Sequence, residues 1–321
     1  MLPLVGRARD CASRARYGHQ KGHGVKLIYS DGYDLNLGEH VFPSSKYKLT
    51  HDRALADGLA SAAGILEPAP AADADVLRVH TPDYVRKLQT GTLSPRELAQ
   101  LEIPWSEQMV RALWLAAGGS ILAARQALRD GAAVNVGGGF HHAFPGHGEG
   151  FCALNDVAIA IRALQAEGLI KLAMTVDLDV HQGNGTAAIF HKDNTVFTFS
   201  MHQEKNYPFI KPPGDLDVGL DDGCGDAEYL HQLRDALKWC FAKFTPDLIF
   251  YVAGADPYRD DQLGGLALTL EGLLERDRWV FAAARERGIP VAVCFAGGYA
   301  RKLEDTVTIH ANTIRAGAAL R

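Results

Sequence analysis

The sequence predicts an α/β fold: a single domain on a mainly parallel β-sheet, flanked by helices on both faces, with its active site at the C-terminal ends of the strands. Three observations carry this expectation. Short apolar runs bounded by turn residues alternate with longer stretches of helical period. The polar motifs stand at, or just after, the ends of the apolar runs, where open parallel sheets form their ligand crevice. A chain of 321 residues, 47% apolar and 22% charged, has enough apolar material for one large core, and no composition shift marks a boundary.

Along the chain, residues 1–24 come first. They are rich in Arg, Lys, His and Gly, including Arg14-Ala15-Arg16 and His19-Gln20-Lys21-Gly22-His23, and show no apolar period. They read as a basic, mobile leader ahead of a catalytic domain over 25–321. Within that domain the apolar runs 25–29, 75–79, 132–136, 172–178, 195–200, 248–253 and 291–296 are short and turn-bounded, the pattern of buried strands. Helical patterns over 106–128, 157–167, 227–244, 270–287 and 301–318 separate them, which calls for crossover connections and a parallel sheet covered on both sides. No internal repeat or low-complexity tract is present.

Lys and Arg number 33 against 38 Asp and Glu, a net charge of -5, so no general electrostatic attraction to nucleic acid or anionic membrane is expected. The five cysteines, Cys11, Cys152, Cys224, Cys240 and Cys294, are widely spread with no C-x-x-C pair, which argues against a disulfide framework or a cysteine metal site. The N-terminus lacks the unbroken apolar core of a secretory signal, and no run is apolar enough to span a bilayer. A cytoplasmic protein is expected, or a nuclear one in a eukaryote, and not a secreted one.

Three motifs carry chemistry: Gly137-Gly138-Gly139-Phe140-His141-His142-Ala143, then Asp177-Leu178-Asp179-Val180-His181, then Gly254-Ala255-Asp256. Each falls at the end of an expected strand, as does Gly297-Gly298-Tyr299. Taken singly, a glycine triplet is a turn, and Asp-x-Asp at a strand end is often a helix cap. Taken together, Asp179, His181 and Asp256 offer two carboxylates and an imidazole, a donor set that suits a zinc-type ion with coordination positions left open. Asp177 and Asp179 point the same way along a strand, and burying both carboxylates is costly without cations or strong donors. The set reads as a metal hydrolase in which the paired histidines handle protons.

These motifs, with Gly150-Phe151-Cys152-Ala153-Leu154-Asn155-Asp156 and the continuation Gln182-Gly183-Asn184-Gly185, identify a resemblance to the zinc-dependent histone deacetylase family, of the arginase/deacetylase fold, from about Val25 to Leu320. The chain is most similar to the class IV branch, through His181-Gln182-Gly183-Asn184-Gly185 and Glu39-His40-Val41-Phe42-Pro43-Ser44-Ser45-Lys46-Tyr47. The resemblance implies one catalytic zinc, or ferrous iron in its place, held by Asp179, His181 and Asp256. It implies His142 as general base and then general acid, Tyr299 as donor to the oxyanion, and His141 as an orienting and electrostatic partner backed by Asp177. Asn184 then stands behind His142, where many relatives carry Asp. An amide orients the ring without offering a full negative charge, so His142 is expected to be less basic, and Asn184→Asp to move the acidic limb of the pH–rate profile upward.

The resemblance further implies a substrate channel at Gly150, Phe151, Gly297 and Gly298, with the Phe151 ring as one wall and Tyr207 or Phe209 as candidates for the facing one. It also implies a structural potassium-like ion near Asp177, Asp179, His181, Ser200 and Met201. The substrate would be an acylated lysine in a protein or peptide, since aromatic walls bury methylenes well and a neutral amide avoids the desolvation cost of an ammonium. Four alternatives are weighed against it, one of them an arginase-like ureohydrolase, whose two-metal site would need additional carboxylate ligands beside Asp179 and His181. A deacylase of acetylated polyamines or other small amides would want a loop insertion with a well-placed acid beside the mouth, and none is present; Glu97 and Glu102, candidates for gripping a peptide backbone at the rim, are more simply an exposed helix face or loop. A non-catalytic acyl-lysine binding module would not need Tyr299, His142 and all three ligands. A nucleophilic Cys152 is unnecessary beside a metal-activated water.

Overall fold

Among the described residues eight strands, every ladder parallel, make one sheet in the order β2-β1-β3-β8-β7-β4-β5-β6. They are β1 (Lys26–Ile28), β2 (Ile65–Leu66), β3 (Ala132–Asn135), β4 (Ala173–Asp177), β5 (Val196–Gln203), β6 (Leu216–Leu220), β7 (Leu248–Val252) and β8 (Val291–Cys294). The computed structural model describes residues 25–319, so the basic leader 1–24 lies outside the described residues. Strands β3, β4, β7 and β8 are buried at every position, as expected of apolar runs covered on both faces.

The helices are α1 (Lys46–Ala56), α2 (Asp73–Val76), α3 (Pro82–Thr90), α4 (Pro95–Leu101), α5 (Glu107–Asp130), α6 (Asp156–Ala166), α7 (Asn184–Ile189), α8 (Asp226–Lys243), α9 (Leu270–Arg285) and α10 (Leu303–Ala318). Helix α5 packs on α6, while α10 packs between α9 and α1. Capping explains several boundaries: Ser106, Asn155 and Thr269 each accept a first-turn N–H of α5, α6 and α9. Glu97, one of the acids considered for the pocket mouth, closes a capping box with Ser94 at the start of α4.

The sheet departs from the expected strands in two places. Residues 75–79 are not a strand: Asp73 and Asp75 sit in the first turn of α2, where the helix dipole favours them, and Leu77 N–H donates to Asp73 O at 2.8 Å. The edge is taken instead by the two residues of β2, too short to show a period. On the opposite edge β6 carries Asp217 and Gly219, with its first, third and last residues the more buried. Neither edge strand has the continuous apolar run that marks the buried ones.

What positions the site is the strand order. The loops after β3, β8, β7 and β4 carry the glycine–histidine, Gly297–Tyr299, Asp256 and Asp179–His181 motifs, and those four strands are consecutive at the centre of the sheet. Segments far apart in sequence therefore open onto one crevice.

Candidate active site

Asp179, His181 and Asp256 are buried, and one potential ligand atom from each lies within 4.8 Å of the others. His181 Nδ1 is 3.0 Å from Asp179 Oδ1 and 3.3 Å from Asp256 Oδ2. The second approach lacks hydrogen-bond alignment, and Asp256 Oδ2 is a buried acceptor with no partner. Backbone donors fill the other carboxylate positions, Gly297 N–H on Asp179 Oδ2 at 2.7 Å and Val180 N–H on Asp256 Oδ1 at 2.9 Å. Gly297 is required here because a Cβ would collide with the Asp256 carboxylate. An orphaned buried oxygen, an imidazole nitrogen and a second carboxylate fit a divalent cation.

The electrostatics of the trio agree with that fit. Burial alone would lower His181, but the hydrogen bond with Asp179 and the charges of Asp179 and Asp256 hold it up at about 10. Burial and the neighbouring Asp179 push Asp256 up to about 7. Burial would also raise Asp179, yet His141 and His181 pull it well below the usual carboxylate range. A proton on His181 thus does the neutralising that a metal ion would take over. Arg276, fully buried on α9, fixes the two ligand loops together by donating to Gly254 O at 2.7 Å and Leu178 O at 3.3 Å.

The histidine pair is held by its own loop. Asp156, at the start of α6, accepts Gly139 N–H at 3.1 Å and Phe140 N–H at 2.8 Å, and Gly139 takes φ 79°, which favours glycine. His141 and His142 stand with ring centroids 4.1 Å apart. His141 Nδ1 meets Asp177 Oδ2 at 2.7 Å, and His142 Nδ1 meets Asn184 Oδ1 at 2.7 Å. Burial opposes charge on both rings, but Asp177 and Asp179 raise His141 to about 9. His142 has no carboxylate partner; burial and the charges of His141 and His181 hold it well below the ordinary range. Two adjacent imidazoles are thereby driven to opposite protonation states.

Tyr299 is positioned through its backbone, whose N–H donates to Asp261 Oδ2 at 2.7 Å. Behind it the buried Lys46 donates to Ala296 O at 2.7 Å, with its ammonium 5.4 Å from the Tyr299 ring centroid. Phe151 takes φ 68°, a strained conformation for a bulky residue, held by its N–H on Leu101 O at 3.0 Å. Its ring lies 6.1 Å from Tyr299 and 6.2 Å from Phe42. A narrow pocket results, lined by His141, His142, Gly150, Phe151, Asp179, His181, Gly297 and Tyr299 among others.

Gly298 stands beside the pocket residues Gly297 and Tyr299, with φ 153°. Asp177 and Ser200 are register partners on β4 and β5, with Met201 next along, so three of the five residues considered for a monovalent cation are neighbours across that ladder. Tyr207 stands edge-on to His142 with centroids 5.0 Å apart, whereas Phe209 is 98% exposed and walls nothing. Cys152 is a buried thiol that burial pushes well up, unsuited to act as a nucleophile. Missed from sequence were Lys46, Asp261, Arg276 and Glu149, the last of which bonds Asn184. Glu149 directly precedes Gly150 and Lys46 falls inside the quoted 39–47 segment, so both had a positional signal; Asp261 and Arg276 had none.

A parallel α/β sheet with a cation-fitting trio and flanking imidazoles at its strand ends defines a hydrolase class. The chain belongs to the histone deacetylase family: a family profile for the histone deacetylase domain matches residues 40–314. It is 45% identical to an uncharacterized protein of Picosynechococcus over 91% of this chain and 98% of that one. It is 34% identical to histone deacetylase 2 of Arabidopsis thaliana over 88% of this chain and 78% of the relative. Among solved structures, an HDAC homolog from Aquifex aeolicus superposes with a TM-score of 0.74 at 26% identity, covering 91% of this chain and 83% of the homolog. The same figures hold for an HDAC homolog complexed with SAHA.

Proposed function

We propose that this deacetylase-family hydrolase cleaves the amide bond of acylated lysine side chains in proteins or peptides, as a class IV-like member using one zinc ion. The observation that carries the reading is an aromatic-walled pocket in which Asp179 and His181, two members of the trio completed by the buried Asp256, meet a neutral His142 and the Tyr299 phenol. Bound there, the ion would lower the pKa of water and polarise the substrate carbonyl.

The chain's own residues do the rest. Phe151, Phe42 and Tyr207 enclose an uncharged stem, which suits the methylenes of an acylated lysine. His142, held neutral, takes the proton of the attacking water and returns it to the lysine nitrogen as the carbon–nitrogen bond breaks. His141, held charged by Asp177, keeps that neighbouring ring neutral between turnovers. Burial drives the Tyr299 hydroxyl well above the ordinary phenol range, so it stays a donor for the oxyanion. Asp177, with backbone near Asp179, His181, Ser200 and Met201, would hold a structural potassium ion.

The test assays acetyl-lysine peptides beside acetylpolyamines, before and after metal removal. Turnover of the peptides, lost on chelation and restored by zinc, is the expected result. Preference for the polyamines would overturn the substrate assignment.

A further inference from the structure

Asn184 faces a carboxylate on its far side. Its Nδ2 donates to Glu149 Oε1 at 2.5 Å, while its Oδ1 accepts Gly185 N–H at 3.0 Å and faces His142 Nδ1 at 2.7 Å. Glu149 is itself held. Its Oε1 also accepts the Tyr207 hydroxyl at 3.0 Å, and its Oε2 contacts Gln100 Nε2 at 3.1 Å and His147 Nε2 at 3.2 Å. Burial would raise Glu149, but these bonds from His147, Asn184, Gln100 and Tyr207 keep its carboxyl below the ordinary range, so it is ionised at neutral pH.

The consequence follows from donor and acceptor inventory. An ionised carboxylate only accepts, so Asn184 is obliged to present its NH2 to Glu149 and its carbonyl oxygen to His142. That oxygen in turn only accepts, so His142 Nδ1 must carry the ring proton, which leaves the lone pair on Nε2. Among the described residues no protein group bonds His142 Nε2. The reversed amide would set an NH2 against His142 Nδ1 and select the opposite tautomer, whose Nε2 cannot accept a proton. Gly185 N–H also disfavours that reversal, but a charge-assisted bond is the stronger constraint.

We propose that Glu149 is a positioning residue that sets the tautomer of His142 through the Asn184 amide. It supplies, one residue removed, the orientation that a directly bonded carboxylate would impose. The proposal rests on the reading of His142 as general base, and it reaches a residue that touches neither substrate nor metal.

The experiment is a two-bond 1H–15N correlation spectrum of 15N-histidine-labelled, metal-free protein near pH 7.5, with His142→Ala used to assign the ring. Wild type shows one Nδ1–H tautomer for His142. Glu149→Gln keeps it, because the Gln carbonyl still accepts from Asn184, and Glu149→Ala shows a mixture with Nε2–H. In the metal-loaded protein Glu149→Ala lowers kcat by about tenfold or more with KM nearly unchanged, and Glu149→Gln restores most of it. A wild-type tautomer in Glu149→Ala, or the same mixture in Glu149→Gln, overturns the proposal. The spectrum is read without turnover, so full activity of His142→Ala would sink the base assignment separately.

Discussion

Loading the trio with a divalent ion must expel a proton, and the size of that linkage can be worked from the site. His181 is held up to about 10 by Asp179 and Asp256, but a metal ligand has to be neutral imidazole. At pH 7 its displacement therefore costs about 4 kcal/mol, at about 1.4 kcal/mol per unit. Apparent affinity should rise about tenfold per pH unit from pH 7 to 9, and more steeply below pH 7, where Asp256 at about 7 also carries a proton. The stability sign follows. A histidine raised above its unfolded value stabilises fully below about 6.5, and that contribution is lost as pH rises through about 10. Metal-free protein should lose Tm across that window, and loaded protein should not. The assay is competition against a fluorescent chelator at pH 6.5, 7.5 and 8.5, corrected for the chelator's own titration, with released protons counted by indicator. Affinity flat with pH, or no proton release, would refute the reasoning.

Three other outcomes are expected. Tyr299→Phe should cut kcat by about 10²–10³-fold with KM and Tm nearly unchanged, since only one oxyanion donor is removed; steady-state kinetics with thermal melts check it. Asn184→Asp sets a carboxylate against Glu149, so the two should share a proton and the acidic limb of the pH–rate profile should move little. In Asn184→Asp combined with Glu149→Gln, the unshared charge should hold the His142 proton longer and move that limb upward by about one unit, read from kcat/KM against pH. Arg276→Met removes the cation bonded to Asp277 and to the Gly254 and Leu178 carbonyls, and should destabilise by about 3 kcal/mol or more in urea unfolding.

The structure changes the sequence-derived view of Asn184. From sequence alone it is a neutral substitute for Asp, and a single change back should raise the basicity of His142. With Glu149 bonded to its amide, the charge is already present one residue away, and only the paired variant exposes the effect. The edge strands show a similar limit. The buried central strands are legible as apolar runs, whereas β2 is too short for a pattern and the sequence over 75–79 reads as a strand where α2 and its turn stand.

Sequence by itself determined the α/β class, because buried parallel strands are continuously apolar, and it singled out the trio, the histidine pair and Tyr299 as candidates, because the polar motifs stand at the ends of those strands. Tertiary structure alone decided that β3, β8, β7 and β4 lie side by side, and so that the four motifs open onto one crevice. It also decided the partners behind them: Arg276 across two ligand loops, Asp261 on the Tyr299 backbone, Lys46 behind its ring and Glu149 behind Asn184. The physical reason is range. Period and turn chemistry act over a few neighbouring residues and leave a trace in the chain, while a hydrogen bond between distant loops leaves none until the sheet brings them together.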